Sequence, residues 1–240
     1  MIILIDRSFL EKLFSHCGIA LSEAQADRLD VYAEKLVEWN EKINLTAITK
    51  PEEICKKHFL DSVLPFSMWG KFDKNCSLID VGTGAGFPSV PLKILNDGVK
   101  ITLLDGLNKR IKFLDELLIA VGADGTTVHG RAEELGKTAE YREKFDLATA
   151  RAVANLSQLC EFCLPFVKVG GYFAALKGQA GASEAAQAEN AVKILGGKIE
   201  EIKEYKLPCG DSRALVVIRK VSPTPPKYPR NKGQMTKKPL

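Results

Sequence analysis

Three glycines at alternating positions, Gly82, Gly84 and Gly86, stand in the run DVGTGAGFP from Asp80 to Pro88. The apolar stretch SLIDV precedes it, and helix-forming residues follow through Leu95. Glycines at a strand-to-helix turn let the backbone bend sharply and leave no Cβ between main chain and ligand. The dinucleotide fingerprint would put its third glycine at position 87, where this chain has Phe87. The spacing therefore suits an adenosine cofactor without a pyrophosphate bridge. Nineteen residues after Gly86, Asp105 ends a second apolar run, VKITLLD. A carboxylate there can accept hydrogen bonds from both ribose hydroxyls. Gly82, Thr83, Gly84, Gly86 and Asp105 are the candidate cofactor residues here.

Ligands of such sheets sit beyond the carboxyl ends of the strands. The next strand runs out at Gly130-Arg131-Ala132-Glu133, and its end could contact the adenine. Arg151 ends the strand after that, and it reads equally as a site residue or as a surface ion pair. His16, His58 and His129 are scattered and read as structural. Cys160 and Cys163 form a CxxC, but a zinc site needs two more ligands, and no second CxxC or HxxxH follows. The pair lies in the helical pattern Leu156, Leu159, Cys160, Cys163, Leu164, so buried thiols are expected, with no metal.

The positioning elements fall into two rhythms. Three helices come first. Ser8 with Glu11 suggests one capping box, Ser22 with Gln25 a second, and Thr49 with Glu52 a third, with Pro51 in the first turn. Leu29, Tyr32, Leu36, Trp39 and Ile43 give the second helix one apolar face. Residues 70–77 read as a loop. Strands and helices alternate from there, which implies parallel βαβ units. Near the end, KIEEIKEYKLP and SRALVVIRKV are separated only by a turn signal and should pair antiparallel. The expected fold is α/β: a mostly parallel sheet of about seven strands with a terminal antiparallel hairpin, plus N-terminal helices. The expected boundaries are a helical region over 1–69, the sheet domain over 70–221 and a tail over 222–240.

The 240 residues are 45% hydrophobic and 27% charged, a composition that excludes disorder over most of the chain. No apolar run is long enough to span a membrane. MIILIDRSFL is too short and lacks a basic leader for a signal peptide, so a cytoplasmic protein is expected. Net charge is +4. The last 22 residues, from Arg219, hold seven of the 34 basic residues and no acid, so the remaining 218 carry 27 basic against 30 acidic residues, a net of −3. Five of the eleven prolines fall there too. Such a segment reads as an extended arm for phosphates or as a solvated tail. A third outcome has it fold back over the sheet domain through Tyr228 and the terminal Pro239-Leu240.

Taken in order, NLTAITKPEE (44–53), KHFLDSV (57–63), DVGTGAGFP (80–88), LLDGLNKR (103–110), GRAEEL (130–135), TARAVA (149–154), GGYFAALKG (170–178) and the tail YPRNKGQMTKKPL resemble the bacterial small-subunit rRNA guanine-N7 methyltransferases, the glucose-inhibited division protein B or RsmG family. The likeness runs from about residue 20 to the end. Departures are Ser89 in place of glycine, Gly106 in place of serine, and Asn231 and Met235 in place of a basic residue and a proline.

The resemblance implies a class I S-adenosylmethionine-dependent methyltransferase fold and S-adenosylmethionine as cofactor. It maps the family's cofactor contacts onto Gly82, Phe87, Ala132, Glu133 and Arg151. The implied partner is 16S rRNA or the small ribosomal subunit, the target a guanine of the decoding region, and the enzyme a monomer. Lys177, Arg230, Lys232, Lys237 and Lys238 are the candidate nucleic-acid contacts. Two alternatives stay open: a methyltransferase of this fold acting on a protein or small molecule, and a non-catalytic RNA-binding protein that retains the pocket. The tail favours RNA, and the intact glycine turn with Asp105 favours catalysis.

Overall fold

The computed structural model describes residues 4–151 and 154–240. The first three residues of the MIILIDRSFL segment, and positions 152 and 153 of the TARAVA run, lie outside the described residues. In chain order the elements are α1 (Arg7–His16), α2 (Glu23–Ile43), α3 (Pro51–Ile54), a π-helical stretch (Cys55–Leu60), α4 (Asp61–Met68), β1 (Ser77–Val81), α5 (Ser89–Leu95), β2 (Lys100–Asp105), α6 (Asn108–Ala120), β3 (Thr126–His129), α7 (Ala132–Leu135), β4 (Phe145–Arg151), α8 (Leu156–Cys163), β5 (Val167–Gly178), α9 (Gly181–Ile194), β6 (Gly197–Lys206), β7 (Ser212–Lys220) and α10 (Lys232–Lys237). A 3₁₀ turn, Leu164–Phe166, joins α8 to β5.

The seven strands form one sheet in the order β3-β2-β1-β4-β5-β7-β6. β1 to β5 run parallel, while β7 pairs antiparallel with both β5 and β6, as the short Cys-Gly-Asp connection requires. The order reverses direction at β1, so the connections that leave the paired strands β1 and β4 run to opposite sides and open a crevice at their carboxyl ends. Two cores cover the two faces. One joins α1, α2, α4, α5 and α6 to the sheet. The other is built from α8, α9 and the tail residues Tyr228 and Met235.

Local sequence explains most element ends. Ser22 and Gln25 make the expected capping box of α2. The start of α1 lies elsewhere: Asp6 is the cap, accepting from the Phe9 amide at 3.2 Å, and Ser8 is already helical. Lys50, without a side-chain bond, precedes α3, so Thr49 does not cap it; Pro51 at the first helical position needs no donor partner. The π-helical stretch follows directly and carries Lys57 and His58, with Asp61 opening α4. Cys160 and Cys163 are fully buried in α8, where desolvation pushes both thiols well above their ordinary pKa.

The tail departs most from expectation. Lys220 belongs to β7 and is fully buried, its ammonium bonded to Leu164 O and Thr224 Oγ1 at 2.6 Å each. Burial lowers its pKa to about 8, against the pull of Glu143. Arg142 gathers the tail by donating to the carbonyls of Thr224, Pro225 and Tyr228. The segment then forms a short helix, not an extended arm. Asn231 and Gln234 build a capping box for α10. Met235, 1% exposed, anchors it, and its amide donates to Asn231 O at 3.1 Å. Proline at 235 could not make that bond. Asn231 and Met235, read from sequence as departures from the resembled pattern, are thus the cap and the anchor of α10.

Candidate active site

The glycine turn is built for two different demands. Gly82, Gly84 and Gly86 all have positive φ, at 73°, 62° and 94°. A Cβ on Gly84 would meet nothing closer than Gly82 O at 4.0 Å, so this glycine leaves open space toward the crevice. Gly86 has a packing role. A Cβ there would lie 2.9 Å from Tyr32 Oη and 2.9 Å from Val90 Cγ2. Tyr32, reaching in from α2, donates its hydroxyl to Ala85 O at 2.5 Å and so braces the turn from behind.

Two carboxylates hold the turn at its ends. Asp80 is fully buried and accepts from Thr83 Oγ1 at 3.0 Å and from the Ser89 amide at 3.3 Å. Desolvation raises its pKa to about 7. Asp105 Oδ2 accepts from the Gly84 amide at 3.0 Å and from Arg110 Nη1 at 3.3 Å, and Oδ1 accepts from the Leu107 amide at 2.9 Å. Asp105 therefore ties β2 to the glycine turn, and Oδ1, with a single donor, keeps a lone pair for the cavity that the residue lines.

That cavity, about 570 Å³, runs from the glycine turn past Phe87 and Asp105 to His58, Arg151 and Lys232. A smaller one of about 130 Å³ shares Gly82, Asp105, Arg131 and Lys232 with it and is walled by Ala132 and Glu133. All nine expected cofactor residues except Gly86 therefore line one continuous crevice, with Gly86 beneath it. The arrangement fits a nucleoside with a charged side arm: open backbone at Gly84, a carboxylate for hydroxyls at Asp105, and cations at Arg110, Arg131 and Arg151 around the larger cavity.

Arg151 lines the larger cavity and is not a surface pair. It lies at the end of β4, with its guanidinium carbon 4.7 Å from the Phe87 ring centroid. Its Nη1 is 3.6 Å from Asp61 Oδ2 and its Nη2 donates to His58 Nδ1 at 3.3 Å. That donation leaves the proton on Nε2, 2.8 Å from Thr46 Oγ1. The His58 ring stacks on Phe87 at 4.5 Å, and Phe87 stacks on Tyr32 at 5.1 Å. Burial, then the adjacent Arg151 charge, lower the His58 pKa to about 3, so the imidazole is neutral. Burial pushes the Asp61 carboxyl up, and Arg151 and Arg213 pull it back down.

His58, read from sequence as structural, thus stands in the crevice, and Asp61 was not singled out at all. A signal was present: KHFLDSV puts His58 and Asp61 three residues apart, on one helical face. The expected nucleic-acid residues separate. Lys177 is 9% exposed, and its Nζ donates to Ala154 O and pairs with Glu184, both at 2.8 Å. Arg230 is also engaged: Glu161, 1% exposed, accepts from its amide, Nε and Nη2 at 2.7, 2.8 and 2.7 Å. Lys232 lines the cofactor cavities, and Lys237 and Lys238 are exposed. Among the described residues, no helix is long and apolar enough to cross a membrane, and no three His, Cys, Asp or Glu side chains cluster to hold a metal ion.

Solved structures share the fold. TYW2 of M. jannaschii, crystallised with AdoMet, matches at a TM-score of 0.51 and 12% identity over 65% of this chain and 74% of that one. The branched-chain polyamine synthase C9 mutein of Thermus thermophilus matches at 0.56 and 12% identity over 80% and 64%. Sequence relatives are much nearer. Ribosomal RNA small subunit methyltransferase G of Lactobacillus johnsonii is 50% identical over 226 residues, covering 93% of this chain and 95% of its own. The proteins of that name from Clostridium novyi and Acetivibrio thermocellus are 53% and 50% identical, over 87% and 98% of this chain and 86% and 96% of theirs. The family model for GidB, rRNA small subunit methyltransferase G, matches residues 25–216. With the glycine turn, Asp105 and Arg151 in one crevice and half-identical relatives along nearly its whole length, the chain belongs to the GidB family of rRNA small subunit methyltransferases.

Proposed function

We infer that this chain is an S-adenosylmethionine-dependent methyltransferase that methylates N7 of a guanine in the decoding region of 16S rRNA. The observation that carries the reading is the continuous crevice joining Gly84, Asp105, Ala132 and Glu133 to Arg151, in a chain whose relatives of that name align end to end. S-adenosylmethionine, when bound, supplies a methyl group on a positively charged sulfur. Asp105 accepts from a ribose hydroxyl through Oδ1, the Gly84 backbone admits the nucleoside closely, and Ala132 and Glu133 flank the adenine. The guanidinium groups lining the larger cavity suit the amino-acid carboxylate.

Guanine N7 has a free lone pair at neutral pH, so transfer needs no proton removed first. The neutral His58 agrees with a site that works by holding reactants in line and excluding water. N7 lies in the major groove, which is deep and narrow in paired RNA, so the target base must be unpaired or turned out. The four tail lysines, Lys227, Lys232, Lys237 and Lys238, with no ion pair among the described residues, suit the RNA backbone near the crevice. We take the enzyme to act as a monomer in the cytoplasm. Mass-spectrometric mapping of rRNA from cells with and without the protein tests the reading. One 7-methylguanine that depends on the protein is expected; an unchanged rRNA methylation map overturns it.

A further inference from the structure

Beside the cofactor crevice lies a second cavity of about 370 Å³ that shares two side chains with it, His58 and Arg151. Its lining also includes Asp61, Lys57, Lys177 and Arg213. Asp61 is 6% exposed, and Arg213 Nε holds it at 3.2 Å from Oδ1 and 3.3 Å from Oδ2. With Arg151 3.6 Å from Oδ2, the carboxylate is fixed from two sides. A carboxylate has about four accepting positions, so capacity remains for a ligand. Nothing in the cofactor chemistry uses it.

We propose that this side cavity seats the acceptor guanine and that Asp61 reads its N1–H and 2-amino edge. The assignment rests on the rRNA-guanine reading above and adds to it the group that selects the base. N7 lies on the opposite edge of the purine from N1 and the 2-amino group. A guanine with N7 turned to the cofactor crevice therefore presents two donors to the side cavity. Adenine presents there an unprotonated N1, which a carboxylate repels, and no 2-amino group.

The same contact favours the chemical step. The N7 lone pair bonds to the methyl carbon while the carbon–sulfur bond breaks and its electron pair goes to sulfur. The positive charge leaves sulfur and spreads over the purine, whose N1–H becomes a stronger donor. A carboxylate already fixed at that edge meets the arriving charge without reorganising. The lining holds four cations, Lys57, Arg151, Lys177 and Arg213, against Asp61 and Glu184. Glu53 and Asp211 pair with Lys57, and Asp211 also with Arg213, so the nucleotide's phosphate would be admitted by exchanging with these carboxylates at the cavity mouth.

The test uses the full chain saturated with S-adenosylhomocysteine and titrated with 5′-GMP, 5′-IMP and 5′-AMP by saturation-transfer NMR. IMP lacks only the 2-amino group. GMP should bind at least about tenfold tighter than IMP, the scale of one charge-assisted hydrogen bond, and AMP weakest. Asp61→Asn should bring the GMP-to-IMP ratio below about threefold. It should also lower kcat on unmodified small-subunit rRNA by about 100-fold while leaving the KM for S-adenosylmethionine unchanged. Equal binding of GMP and AMP to the wild type, or binding of neither, overturns the assignment, and this comparison needs no variant to fold. An Asp61→Asn enzyme with wild-type kcat also overturns it. If the wild type methylates guanine yet shows no GMP preference, only the Asp61 assignment is lost. If it binds S-adenosylmethionine yet methylates no rRNA guanine, the proposed function is lost as well.

Discussion

Arg230→Gln isolates the anchor of the tail. The Glu161 carboxylate, 1% exposed, takes three bonds from Arg230, and the substitution removes the two from the guanidinium together with the opposing charge. Depriving a buried carboxylate of its partner costs about 3–5 kcal/mol. The surviving backbone donor and the 18% exposure of the Arg230 side chain bring the expected loss to about 2–3 kcal/mol. For a chain of this size each kcal/mol lowers Tm by about 2–4 °C, so a fall of roughly 4–12 °C is expected. Tyr228 and Met235 would lose their seat in the core that contains α8. Lys232 would move with them, and since it lines both cofactor cavities, cofactor affinity should drop several-fold. Scanning calorimetry and a calorimetric titration with S-adenosylmethionine read both effects on one sample. A Tm within one degree of wild type together with unchanged affinity would refute the claim that the tail is part of the catalytic domain's structure.

Four further outcomes can be measured. Gly84→Val should cut cofactor affinity more than tenfold in a folded protein, whereas Gly86→Ala should act on stability, by about 1–3 kcal/mol, through the clash with Tyr32 and Val90 and the positive φ; the reverse pattern in calorimetry and thermal melts would swap the two roles. Asp105→Ala should weaken S-adenosylmethionine binding by about 1–3 kcal/mol, and an unchanged affinity would take Asp105 away from the ribose. Replacing Lys227, Lys232, Lys237 and Lys238 with Gln should flatten the salt dependence of RNA binding by up to about four phosphate contacts; an identical slope sinks the phosphate role. Because the His58 pKa falls from about 6.5 to about 3 on folding, the unfolded state binds the extra proton between these values, and stability from this group is full above pH 6.5 and lost as pH falls toward 3. His58→Gln should remove up to about 1.4 kcal/mol per pH unit of that slope, and parallel stability curves for the two proteins would show that His58 is not held neutral.

The parts legible in the sequence were those whose cause is local. A strand, three spaced glycines and a helix specify the turn by backbone conformation alone, and Asp105 follows from the length of one βα unit. Alternating strand and helix patterns gave the parallel order, and a connection too short for a crossover gave the antiparallel β6–β7 pair. The misread parts depend on partners distant in sequence. Gly86 is glycine because Tyr32, 54 positions earlier, packs against it. Arg230 read as a free cation because Glu161 lies 69 positions away. For α10 the signal was local but masked by charge: Asn231 and Gln234 have capping-box spacing, and one apolar residue, Met235, suffices to seat the helix.

The crevice also shows why a methyltransferase for N7 can dispense with a titrating group at its centre. Arg151 joins the cofactor cavity to the side cavity and carries a permanent charge, which Asp61 balances at 3.6 Å. A protonated imidazole at His58 would put a second positive charge against Arg151, close to the site of a cationic methyl donor. Burial and Arg151 itself prevent this down to about pH 3. Stacked on Phe87 and bonded to Thr46, the neutral ring acts as a rigid wall between the two cavities. Asp80, whose pKa burial raises to about 7, lies fully buried behind the glycine turn. Its protonation would act on the turn's hydrogen bonds with Thr83 and Ser89 rather than on the methyl group. A pH dependence that arises from Asp80 therefore acts through the glycine turn on cofactor binding.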